Sequence, residues 1–166
     1  MSVYPRRSRR PVLAAAGVAV GVGALGMITT DLGPWYVDLR KPVWQPPDAL
    51  FGPVWTLIFA LAALSFIIYW GKLAARNERL EVIAAFLING FLNVLWSLLF
   101  LRFERPDWAL YEVAFLWVSI LVMIGLVKRS SASAAALLIP YLIWVSFATA
   151  LNLRIVQLNT PFGHAG

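Results

Sequence analysis

Hydrophobic and polar positions fall into long blocks along this chain rather than alternating. Charge-free runs cover residues 11–30, 49–71, 82–101 and 130–153, and a fifth run, 108–127, contains a single charge, Glu112. Each run holds at least 20 residues, and roughly 20 are needed to cross a bilayer as a helix. The pattern predicts an all-α integral membrane protein, a bundle of five transmembrane helices over about 11–30, 51–71, 82–101, 107–127 and 134–157. A basic N-terminal extension, 1–10, and a flexible tail, 158–166, flank it, and no separate soluble domain is expected.

The connectors differ sharply in length. The turn between spans three and four is RFERPD, and Pro106 suits the first turn of the next helix, where its missing N–H costs nothing. Spans four and five are joined by KRSSAS, and spans two and three by the polar GKLAARNERLE. The first connector, about 31–50, is the long one. Its stretch GPWYVDLRKPVWQPP holds four prolines, two tryptophans and a tyrosine. Such a segment reads either as a lid that loses little entropy on closing or as a static interfacial anchor.

Span one follows PRRSRR, which resembles the start of a signal peptide with a twin-arginine pair. Its apolar core, 12–28, is long for a signal, and no A-x-A site follows, so a retained helix is expected. Gly17 and Gly21, like Ala19 and Gly23, are four apart; this spacing serves close packing within the bundle or a dimer seam.

Composition sharpens the picture. The chain of 166 residues is 61% hydrophobic, against about 45–50% in an ordinary soluble domain. Its net charge of +6 does not indicate nucleic acid, because the basic residues cluster at the ends of apolar runs, where topology signals sit. Nine of them (Arg6, Arg7, Arg9, Arg10, Lys72, Arg76, Arg79, Lys128 and Arg129) fall on the side of the N-terminus, and five (Arg40, Lys41, Arg102, Arg105 and Arg154) on the other. The positive-inside rule then puts the N-terminus in the cytoplasm and the long connector outside; a bacterial inner (cell) membrane is expected. There is no cysteine, which excludes thiolate sites. The single histidine, His164, lies in the tail, and no Ser-His-Asp set, HExxH or P-loop is present. No metal and no obligatory cofactor are expected.

Polar and aromatic residues recur at helical spacing inside the spans. Asn89, Asn93 and Trp96, extended by Phe100, form one stripe. Phe51, Trp55 and Phe59 form a second, and Tyr141, Trp144, Ala148, Leu151 and Asn152 a third. Trp108 and Glu112 give span four a shorter one. Four helices thus have a stripe that could face one cavity. The competing reading is equally physical: tryptophans form belts at membrane interfaces, and intramembrane asparagines tie helices together. Glu112 can snorkel, stay protonated or pair with Arg102 or Arg105; pairing is the expectation.

The order of motifs adds to this reading. Trp35-Tyr36, Lys41-Pro42, Trp44, Pro46-Pro47, Gly52 to Trp55, Asn93, Trp96, Trp108 to Leu110, and Pro140 to Asn152 resemble the tryptophan-rich sensory protein and translocator protein family, also called peripheral-type benzodiazepine receptors. The resemblance spans 35–152 and implies a five-helix bundle, commonly a homodimer, with a cavity near the first connector and covered by it. It implies tetrapyrrole ligands such as protoporphyrin IX and haem, and a role in sensing, transport or regulation of porphyrins. By position it implies a site of Ala24, Trp55, Asn93, Trp96, Trp108, Trp144, Phe147, Ala148 and Leu151. Trp44 and Tyr141 join that site. Trp35, Tyr36, Arg40 and Lys41 would form the lid, the two cations meeting ligand carboxylates. An alternative is light- and oxygen-dependent porphyrin degradation using Trp55 and Trp144. Leu151-Asn152-Leu153-Arg154 lacks the tyrosine of a cholesterol-recognition pattern, which counts against a sterol.

Overall fold

The computed structural model of the chain describes residues 33–71 and 76–162, together with Gly17. The predicted first span apart from Gly17, Ala24 within it, the basic extension 1–10 and tail residues 163–166 lie outside the described residues. Among those described, the secondary structure is entirely helical.

A one-turn helix, α1 (Pro34–Asp38), opens the long connector, and a 3-10 turn, Asp48–Leu50, closes it. Four longer helices follow: α2 (Phe51–Trp70), α3 (Arg76–Ser97), α4 (Pro106–Lys128) and, after the short α5 (Ala132–Ala136), α6 (Ile139–Asn159). By length and composition, four helical segments of the described residues are long and apolar enough to cross a membrane. Many of their large apolar side chains, among them Leu57, Leu87, Phe91, Phe115 and Ile143, point outward. Water would penalise that surface, and lipid does not.

The bounds depart from the hydropathy pattern where backbone chemistry rather than greasiness decides. Span three was expected from 82, yet α3 is helical from Arg76. Hydropathy marks the lipid-facing length, whereas helical hydrogen bonds continue through polar residues. At its other end α3 widens into a π-helical stretch, Leu98–Arg102, followed by a sharp turn in which Glu104 has a φ of 56°. The single helix expected over 134–157 is jogged at Leu137 and Leu138. Their N–H groups bond the carbonyls of Ala134 and Ala135, a tighter i−3 pattern, and Pro140 then occupies the first turn of α6, where it needs no donor. Ser131 caps α5 by accepting from the Ala134 N–H at 3.3 Å.

Three clusters form the core. One, at the α2–α3 turn end, packs Tyr69, Val82, Met123, Val127, Ala134 and Leu138. The central one joins Ile58, Val113, Leu116, Ile120, Tyr141 and Val145. The third lies under the connector and takes Tyr36 and Leu39 from it, together with Phe100, Ala109, Leu151 and Ile155. The connector is therefore folded onto the bundle.

Candidate functional site

A cavity of about 660 Å³ lies between α2, α3 and α6, under the connector. Its size falls within the range of small-molecule sites, roughly 300–1,000 Å³. The helical stripes explain its walls. Phe51, Trp55 and Phe59 come from α2 at i, i+4 and i+8, Asn93, Trp96 and Phe100 from the α3 face, and Trp144, Ala148, Leu151, Asn152 and Ile155 from α6.

The rings hold one another in place. Trp55 stacks on Phe59 with centroids 5.4 Å apart and meets Tyr141 edge-on. Trp96 stacks on Phe100 at 5.1 Å, and Trp35 meets Phe100 edge-on from the connector. Trp144 lies between Phe51 and Phe147, and Phe147 receives the edge of Trp44. These offset and edge-to-face arrangements each add roughly 0.5–1.5 kcal/mol beyond simple burial. The indole Nε1–H groups of Trp96 and Trp144 are buried without an acceptor among the described residues.

Polar groups are few and placed by hydrogen bonds. The Asn93 amide donates to the Tyr141 hydroxyl at 3.3 Å, and that hydroxyl donates to Asn89 Oδ1 at 3.1 Å. Asn89 in turn donates to Ser119 at 2.9 Å, tying α3, α4 and α6 together. Asn152, with its amide oriented by its partners, donates to the Pro106 carbonyl at 3.0 Å and accepts from the Leu110 N–H at 3.2 Å. It is thus a tie to α4 as well as part of the wall.

The connector closes one end. The Tyr36 hydroxyl donates to Asp48 Oδ1 at 2.7 Å, and Gln45 Nε2 donates to the same oxygen at 3.0 Å. Lys41 Nζ sits 3.8 Å from Asp48 Oδ2 and 3.8 Å from the centroid of the Tyr36 ring. Burial, then the Asp48 carboxylate it donates to, pushes the Tyr36 phenol well above its usual range, so the hydroxyl stays a donor. Asn159, at the end of α6, clamps the connector from the side: its Oδ1 accepts from the Arg40 N–H at 2.8 Å, and its Nδ2 donates to the Arg40 carbonyl at 2.9 Å.

Of the expected site residues, Trp55, Asn93, Trp96, Trp144, Ala148 and Leu151 are on the wall, as is Tyr36 of the lid set. Tyr141 is one layer behind, 2% exposed, supporting Asn93 and Trp55. Phe147 braces Trp144 and Trp35 braces Phe100, both on the wall, while Trp44 meets Phe147 from outside; none of the three lines the cavity. Trp108 is elsewhere: it is exposed on the outside of α4, under the Arg105 guanidinium at 4.4 Å. Ala109, next in sequence, turns inward instead. Lys41 faces Asp48, and Arg40 is exposed and held through its backbone.

Glu112 does not pair with Arg102 or Arg105. Arg105 is taken by Asp107, with Nε–H to Oδ1 at 2.8 Å, two residues along the chain. Glu112 points into the bundle on the face of Ala109 and Leu116, and neither of its carboxylate oxygens has a hydrogen-bond partner among the described residues. The wall residues that were missed include Gln45, Asp48, Thr56, Ser97, Leu101 and Ile155. Ile155 continues the α6 stripe by i+4 from Leu151 and was legible; the two connector residues carry no periodic signal.

The comparisons with known proteins agree with the motif order. A family profile described as the TspO/MBR family matches residues 13–158. The chain is similar to "Tryptophan-rich protein TspO" of Chlorobaculum tepidum, 38% identical over 86% of this chain and 92% of that one. A protein of the same name from Archaeoglobus fulgidus is 34% identical over 87% and 92%. "Translocator protein" of Homo sapiens is 32% identical over 75% of each chain.

Proposed function

The chain belongs to the TspO/MBR family, and from that premise we propose that it is an integral membrane protein that binds tetrapyrroles, such as protoporphyrin IX or haem, in the cavity under its connector. The observation that carries this reading is the wall itself: seven aromatic rings, from Tyr36, Phe51, Trp55, Phe59, Trp96, Phe100 and Trp144, surround one cavity of about 660 Å³. Flat rings offer stacking area to a flat macrocycle at little entropy cost. The Trp96 and Trp144 N–H groups are donors for an acceptor on the ligand. Binding serves sensing, transport or regulation of porphyrins.

In this reading the predicted helix over 11–30 completes a five-span bundle. The N-terminus is cytoplasmic and the connector outside, following the Lys/Arg asymmetry. The protein works as a homodimer in a bacterial inner membrane.

The test is a titration of detergent-solubilised protein with protoporphyrin IX. A saturable Soret shift with quenching of tryptophan fluorescence, at one porphyrin per chain, is expected. A linear, non-saturating response would overturn the proposal. Because Trp55 and Trp144 both stand on the wall, a second reading, oxidative degradation of the bound porphyrin in light, is checked in the same cuvette. A new product band under illumination in air, lost in Trp55→Phe or Trp144→Phe, selects it; recovery of intact porphyrin selects binding alone.

A further inference from the structure

Of the described residues on the cavity wall, one carries a formal charge, and it is an acid: Asp48. Around its carboxylate converge three donors of different kinds, all from one stretch of the connector. They are the Tyr36 hydroxyl at 2.7 Å, the Gln45 amide at 3.0 Å and the Lys41 ammonium at 3.8 Å. Gln45 also donates to the Tyr36 hydroxyl at 3.3 Å, and Lys41 lies over the Tyr36 ring, so the donors fix one another. A phenol, an amide and an ammonium aimed at one point make a receptor for a carboxylate. Here the chain supplies the carboxylate itself.

The site is also placed for exchange. The side chains of Lys41 and Asp48 are 22% and 40% exposed, so the pair sits at the boundary between cavity and solvent. Asp48 is the first residue of the 3-10 turn, whose cap position is Pro47, and the hydrogen bonds its carboxylate accepts come from Tyr36 and Gln45. Tyr36 and Gln45, like Asp48, line the cavity, so their donors are within reach of a ligand's polar end.

We propose that Asp48 is an internal competitor for the acidic groups of a ligand: the cavity favours amphiphilic macrocycles with uncharged ends over those with free carboxylates, because Asp48 both occupies the donor cradle and repels a second anion. This rests on the tetrapyrrole reading above and specifies its ligand class. A ligand carboxylate gains Tyr36, Gln45 and Lys41 only when Asp48 leaves them or is removed.

The experiment compares protoporphyrin IX with its dimethyl ester on the full-length, detergent-solubilised protein, following tryptophan quenching. The readout is the ratio of the two affinities, which cancels general damage to the cavity. In the unmodified protein the ester binds more tightly. In Asp48→Ala the ratio moves toward the free acid by about tenfold, the scale of removing a like charge from a binding site. Asp48→Asn, which keeps the hydrogen bonds to Tyr36 and Gln45, moves it in the same direction by less and serves if the alanine variant does not fold. Adding Lys41→Met to Asp48→Ala reverses most of the gain, since the freed ammonium is what the acid acquires. A ratio within twofold of the unmodified protein in both Asp48 variants overturns the inference while leaving the binding function intact. If neither porphyrin saturates, both fall together.

Discussion

The two ends of the bundle solve opposite problems with the same helices. At the α2–α3 turn end, small and aliphatic residues close the space together with Tyr69, and Phe66 and Phe86 pack against them. Ala134 and Leu138 are fully buried against Val127, Met123 and Val82, and the Ser65 hydroxyl bolts α2 to the Ala134 carbonyl at 2.7 Å. At the connector end, α2 stands off from α3 and α6, and aromatic rings line the space that results. One end is filled with side chains matched to each other. The other is lined with side chains matched to something flat. The difference teaches where specificity and stability reside: an alanine at the helix contact permits close approach, whereas large rings keep the walls apart without leaving them loose.

The largest effect is expected at the closed end. Ala134→Leu forces extra methyl groups into a filled contact and costs up to about 3 kcal/mol, read as a lower unfolding midpoint in detergent. The porphyrin dissociation constant of the protein that remains folded stays within about twofold, because the cavity lies at the other end. A large loss of affinity without a loss of stability would show that the two ends are not separable.

At the open end the balance reverses. Trp144→Ala removes a wall ring that contacts Phe51 and Phe147. Porphyrin affinity falls roughly thirtyfold, which corresponds to about 2 kcal/mol, within the range for burying one large side chain. Equal affinity in the variant and the parent would mean that the ring braces the bundle and does not meet the ligand.

The connector's attachment to the open end is weaker. Asn159→Ala deletes both side-chain bonds to the Arg40 backbone. A net loss of about 1 kcal/mol follows. Local opening of the connector then becomes roughly fivefold more frequent, and tryptic cleavage after Arg40 accelerates by the same factor, provided opening is fast relative to cleavage. An unchanged cleavage rate would show that Tyr36 and Leu39, buried on the bundle, hold the connector by themselves.

How much of this contrast was legible depends on periodicity. The stripes at 51, 55 and 59, at 93, 96 and 100, and at 144, 148, 151 and 152 mark the walls because a helix converts spacing directly into a face. The pairing of Asn89 and Asn93 with Tyr141 was not legible, since it needs the register between helices. The same holds for Asp48: nothing in GPWYVDLRKPVWQPPD says that Tyr36, Gln45 and Lys41 turn back onto one carboxylate. The Asn159 clamp joins positions 119 residues apart and leaves no local mark. The closed end was silent for another reason. Small residues in an apolar run look alike whether they face lipid or a neighbouring helix, so Ala134, at zero exposure, could not be told from Ala136, which is exposed.

Trp108 gives the smallest expected effect and the cleanest test of how position in a motif relates to position in space. The motif order assigned it to the cavity with Trp55, Trp96 and Trp144. In the structure it is 54% exposed and its partner is the Arg105 guanidinium, itself bonded to Asp107. A cation over an exposed ring contributes about 0.5–1 kcal/mol, and phenylalanine retains part of that. Trp108→Phe therefore shifts stability by less than about 0.5 kcal/mol, and porphyrin affinity stays within twofold of the parent. The same substitution at Trp96, stacked on Phe100 inside the wall, lowers affinity measurably. If the two variants lost affinity equally, the outer face of α4 would have to belong to the binding site, and the division between open and closed ends would have to be redrawn along the helix rather than across it.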